Sequence, residues 1–151
     1  MIRNIAAVFV GLIVGMIANM AIVQLDVMLY PMPDGVTFED TEGVATYIST
    51  LPLLALLLVI VAHLGQAFVG GWVAAFISSR HSMVVAMIIG VLSMLGGIAN
   101  MFMMTLPPWM WIEVPLYLVA AYAAATLELK RRVSAIQGAK VKEFMDAEFG
   151  P

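Results

Sequence analysis

Cysteine is absent from this chain, which excludes disulfides, thiolate nucleophiles and Cys-ligated zinc or iron–sulfur centres in whatever compartment it occupies. Charge is scarce: 11% of the residues are Asp, Glu, Lys or Arg, against roughly a quarter in an average soluble domain. Neither H-E-x-x-H nor G-x-S-x-G occurs, nor does any Gly-rich phosphate loop before a helix. Few residues fall outside long apolar runs, so an enzyme is not expected, and no catalytic residue, metal site or cofactor is assigned. The formal charge of −3 averages a basic face and an acidic one and implies no nucleic-acid partner.

What is present is apolar: 63% of the residues, gathered into runs at about 5–25, 53–78, 83–106 and 109–127. A membrane crossing takes about 20 residues of helix, so four crossings account for most of the chain. The expected fold is all-α, an integral membrane four-helix bundle over residues 1–129, followed by a tail at 130–151 that is basic and then acidic. Arg3 followed by an apolar run has the layout of a signal peptide. The run is too long for one and lacks an A-x-A site, so it is expected to remain as the first span.

All seven cations fall on one side of these spans: Arg3, Arg80, Lys130, Arg131, Arg132, Lys140 and Lys142. The two connections on the other side contain none, and Asp26, Asp34, Glu39, Asp40, Glu42 and Glu113 lie in or beside them. Short basic connections stay on the cytoplasmic side during insertion, so both termini are expected inside. Tyr30, Tyr47, Trp109 and Trp111 mark the outer interface. In the long outer connection Asp40 reads as an N-cap, and Val44, Tyr47, Ile48 and Leu51 have helical spacing. A short helix lying on the outer membrane surface and stopping near Pro52 is therefore expected. The tail, with Val133, Ile136, Val141, Phe144, Met145 and Phe149 among charges, is expected along the inner surface or partly disordered.

In lipid, helices associate through close packing and interhelical hydrogen bonds, so small and polar residues mark the inward faces. Ala86, Gly90, Ser93, Gly97 and Asn100 form one stripe on the third span. Gly11, Gly15 and Asn19 mark the first span, and His63, Gln66, Ala67, Gly70 and Ala74 the second. Glu113, Tyr117, Ala121, Ala124 and Glu128 mark the fourth. Gly11, Gly15, Gly70, Gly90 and Gly97 are the expected helix-packing positions. Gly15 to Met20 echoes Gly96 to Met101 at five of six positions, which would suit a parallel two-plus-two repeat.

Asn19, His63 and Asn100 lie about 15 to 18 residues into their spans from the basic side, which puts them, with Gln66, in one polar layer. Histidine is the side chain that changes charge near neutral pH, so this layer could carry protons or small cations, with Ser93 and Tyr117 as further steps. The alternative is interhelical glue, each bond contributing ~0.6 to 2 kcal/mol. Counted along the spans, no carboxylate reaches this depth: Asp26, Glu113 and Glu128 all read as solvated groups near a surface. That weighs toward glue. Thirteen methionines, with Met101, Met103, Met104, Met110, Met28 and Met32 toward the outer side, raise Cu(I) binding. With no His or Cys beside them, they read as packing.

The run Tyr30-Pro-Met-Pro with Gly35, then Tyr47-Ile48 and Leu51-Pro52, then Ala62-His63 with Ala67-Phe68-Val69-Gly70-Gly71, resembles small uncharacterised four-span membrane proteins found in many bacterial genomes. The resemblance covers roughly the first half and implies a bacterial inner-membrane protein, without implying an activity. The expected function is association, as a homo-oligomer or an accessory subunit of another membrane protein within the lipid bilayer. The alternative is a proton- or small-cation-permeable transporter built on the layer around His63.

Overall fold

The computed structural model describes residues 2–37, 39–104 and 106–150; Thr105, inside the third expected span, lies outside them. The chain is 86% helical with no strand among the described residues. The apolar runs give α1 (Ile2–Leu29), α3 (Leu53–Ile77), α4 (Ser82–Met103) and α5 (Glu113–Phe149). These four are long and apolar enough to cross a membrane. Between α1 and α3 lies α2 (Thr41–Thr50), and a 3₁₀ turn at Pro108–Ile112 leads into α5.

α3 is the central helix and packs on α1, α4 and α5, while α4 and α5 also pack on each other. α1 meets α4 along a short stretch only, so the bundle is a packed trio with α1 laid against α3. Backbones touch where the glycines lie. A Cβ on Gly11 would come within 2.6 Å of the Gly70 carbonyl oxygen, and one on Gly70 within 2.7 Å of that of Gly11. One on Gly15 would lie 2.6 Å from the Gln66 carbonyl oxygen. Gly90 gives the same room to Ala121 of α5, and Gly97 makes room for the Tyr117 ring. All five expected packing glycines thus meet helices of their own chain. The sequence echo does not carry over: Gly15 is packed, whereas its counterpart Gly96 faces open space and the packed residue is Gly97.

One end of the bundle collects the cations. The last carbonyls of a helix have no partner within it. At the end of α3, Arg132 of α5 supplies Nη2 to the carbonyls of Ala75, Phe76 and Ser78 at 2.6, 2.9 and 2.7 Å. Arg3 Nε donates to Ile77 at 2.6 Å. Glu128, with a fully buried side chain, accepts from Arg131 at 2.7 and 2.8 Å and from Arg132 at 2.8 Å. Its expected place as a solvated surface carboxylate is corrected: three residues and one turn away on the same helix, two guanidinium groups make its burial possible.

The opposite, acidic end is roofed by α2. Asp40 caps this helix as expected, its side chain accepting from the Gly43 N–H at 3.0 Å. The apolar face of α2 is turned to the protein rather than laid on an outer surface. Val44 and Ile48 are buried with Leu56 and Ile60 of α3, Met101 of α4 and Met110 of the 3₁₀ turn. α5 continues unbroken to Phe149, with its residues from Val133 on exposed.

Candidate functional site

Two helical spacings build the centre of the molecule. His63 and Gln66 are three residues apart on α3, and Glu113 and Tyr117 four apart on α5, so each pair shares a face. Where the faces meet, His63 Nδ1 lies 3.1 and 3.2 Å from the two carboxylate oxygens of Glu113. The Tyr117 hydroxyl donates to Glu113 Oε1 at 3.3 Å, and the Tyr117 ring stacks on the imidazole with centroids 6.3 Å apart. Glu113 is 0% exposed and the His63 side chain 13%.

The carboxylate reaches this place because of the chain's route after α4. α4 stops at Met103, three residues beyond Asn100, and the 3₁₀ turn folds in under α2 with Met110 fully buried. α5 therefore begins level with the middle of α3. His63 is ten residues inside α3, so the helix projects about 15 Å past it, and α2 covers the projecting part. The expectation that no carboxylate shares the level of His63 is corrected here, and so is that of a solvated Glu113. Its signal was nonetheless present, since Glu113 falls on the same face as Tyr117, Ala121 and Ala124.

The remaining polar side chains adjoin this centre. Asn19 of α1 donates to Gln66 Oε1 at 2.9 Å, and Gln66 Nε2 donates to Ser93 of α4 at 3.5 Å. Of the expected layer, Asn19 and Gln66 are thus bonded to each other, while His63 turns to Glu113. Asn100 faces two cavities that it shares with His63. One, of about 150 Å³, lies toward the acidic end among α1, α2, α3 and α4 and has Asp26 and Tyr47 in its wall. The other, of about 280 Å³, lies beside Met16, Gln66, Ser93 and Gly97. His63 and Asn100 thus form the partition between them.

Asp26 is the third corrected carboxylate. It is 7% exposed, and its Oδ1 has no hydrogen-bond partner among the described residues. The neighbouring Tyr47, whose hydroxyl donates to the Tyr30 carbonyl, has its pKa pushed up by burial and by the Asp26 charge. Toward the basic end the polar chain stops. Gly71, Ala74, Ala86, Ala121 and Ala124 are all buried and fill the space between Ser93 and the Glu128 cluster. The methionines divide in the same way: Met101 and Met110 are core, Met28 and Met103 point outward, and Met32 and Met104 line the 150 Å³ cavity with Met110. Among the described residues no group of three His, Asp or Glu could hold a metal. Comparison of the chain with protein-family models, with curated proteins and with solved structures gives no match.

Proposed function

We propose that this chain is a four-span protein of a bacterial cytoplasmic membrane, with its basic end in the cytoplasm, and that its centre handles protons arriving from outside. The orientation rests on the distribution of the seven cations, and the bacterial membrane on the resemblance of its first half. The observation that carries the functional reading is Glu113, a fully buried carboxylate held by His63 and Tyr117. Ionisable groups at membrane depth are costly and characteristically serve proton or ion pathways. His63 Nδ1 and Glu113 Oε1 are 3.1 Å apart, within hydrogen-bond reach for direct proton transfer between them. The cavity at the acidic end gives the imidazole an approach from outside. The packed alanines and glycines close the way to the cytoplasm in this conformation, so passage requires the helices to shift against one another.

Association drew its support from small-residue faces. Gly11, Gly15, Gly70, Gly90 and Gly97 are occupied within the chain, so these faces no longer argue for a partner. The proton reading is tested by flux into liposomes containing the purified protein and an internal pH dye. Wild-type vesicles should acidify when the outside is acid, and vesicles containing folded His63→Gln or Glu113→Gln should not. Wild-type liposomes as tight as empty ones would overturn the reading.

A further inference from the structure

The acidic end holds a charge that the chain does not match. Asp26 is buried near the C-terminal turn of α1, where the helix carbonyls make the local potential negative and a carboxylate is disfavoured. Burying a carboxylate without a partner is costly. All seven lysines and arginines are at the other end. The titratable groups around the same cavity are Tyr47 of α2 and His63 of α3; the first donates to Tyr30 and the second is bonded to Glu113 of α5. Any cation that pairs with Asp26 therefore comes from outside the chain.

The cavity beside Asp26 limits what that cation can be. Apart from Asp26, Tyr47, His63 and Asn100 its walls are aliphatic or thioether, including Val23, Leu56, Val59, Met32 and Met104. A metal ion would find one carboxylate and few other oxygens, far short of the six or more that hard cations take. The volume of about 150 Å³ matches that of apolar cavities that hold benzene, and thioethers favour aromatic neighbours. We propose that this cavity binds a small organic ammonium ion, one ring-sized apolar group carrying a single cationic nitrogen that pairs with Asp26. Such an ion could be a free amine or the ammonium headgroup of a lipid, and the chemistry at Asp26 is the same.

Thermal unfolding of the full chain in detergent tests this directly, with benzylamine as probe and benzyl alcohol as its uncharged counterpart of equal size. Benzylamine should raise the midpoint by about 4 °C at ten times its dissociation constant, with the alcohol giving little. Asp26→Asn, which loses no hydrogen bond at Oδ1, should unfold normally without ligand and lose the response to the amine. Val23→Phe, which fills the cavity and keeps the carboxylate, should lose it too. An equal response to amine and alcohol, no response in the wild type, or an amine response retained in either variant would overturn the proposal. In nanodiscs of phosphatidylglycerol the response should persist. Its loss on adding phosphatidylethanolamine assigns the site to a lipid ammonium, and its retention assigns it to a free amine; both outcomes support an ammonium site. Binding is read without a proton gradient, so its failure would leave the proton reading standing, and the reverse holds as well.

Discussion

Glu128 and Glu113 are both fully buried glutamates on α5, fifteen residues apart, and the chain treats them in opposite ways. Glu128 has two arginines of its own helix within 2.8 Å, and one of them goes on to cap α3. Glu128 and both of these arginines have partners there, and the glycines and alanines beside them leave no polar opening. Glu113 depends on a histidine and a tyrosine from across or along the bundle, next to cavities, with the unpartnered Asp26 at the far wall. The contrast teaches that burial of a carboxylate does not by itself identify a site. Covalently near, permanently charged partners make a fastening, whereas neutral or switchable partners beside open volume make a place where a proton or a ligand can be exchanged.

The most drastic way to break this comparison is to place the two ends on one side of the membrane. A reporter fused after Pro151 and one inserted at 80–82 should both read cytoplasm, and one inserted at Asp34-Gly35 should read outside. A C-terminal fusion reading outside would invert the assignment of fastening and site to their compartments. Next in size is the fastening itself. Arg132→Ala removes a partner of Glu128 and leaves the α3 carbonyls uncapped, and should cost about 3 kcal/mol in denaturant titration. Arg131→Ala, at a guanidinium half exposed to its surroundings, should cost clearly less. Similar losses from both would show that the buried network does not set the stability of this end.

Packing between the ends comes next. Gly97→Leu forces a side chain into the Tyr117 ring, with the first added carbon already 2.6 Å from Tyr117 Cζ. It should cost about 2 to 3 kcal/mol, while Val91→Leu on the outward face should change the melting temperature little. Equal tolerance would mean that Tyr117 is not held against α4. At the centre, His63→Ala strips Glu113 of a partner and should cost ~1 kcal/mol, whereas His63→Gln keeps a neutral donor and should stay near wild type. Indistinguishable stabilities would show that the His63–Glu113 contact contributes nothing to the fold. The smallest effect is expected at the far wall. Asp26→Asn removes an unanswered charge and should leave the midpoint unchanged or slightly raised, and a clear loss of stability would mean that Asp26 has a structural partner.

What could be read along the chain and what could not divide by the kind of information involved. The lateral face of each helix was legible, because 100° per residue places Gly90 and Gly97, or Glu113 and Tyr117, on one stripe whatever lies around them. The cap at Asp40 was legible for the same local reason, a side chain reaching an N–H three residues on. Depth was not legible. Counting from the ends of the apolar runs put Glu113 at a surface, because nothing in Pro107 to Ile112 announces that this turn folds inward beneath α2. The apolar side of α2 was read correctly and assigned to the wrong partner, since a stripe of Val44 and Ile48 fits lipid and protein equally well.

By itself, the sequence determined four long apolar helices, the faces through which they meet and the gathering of every cation at one end. These follow from composition and from the geometry of a single helix. Only the tertiary structure decided that His63 meets Glu113, that Asp26 is left without a partner beside a cavity and that the tail extends as helix. Such facts depend on where one helix starts relative to another, and that offset is set by turns whose path is settled only when the packed faces are brought together.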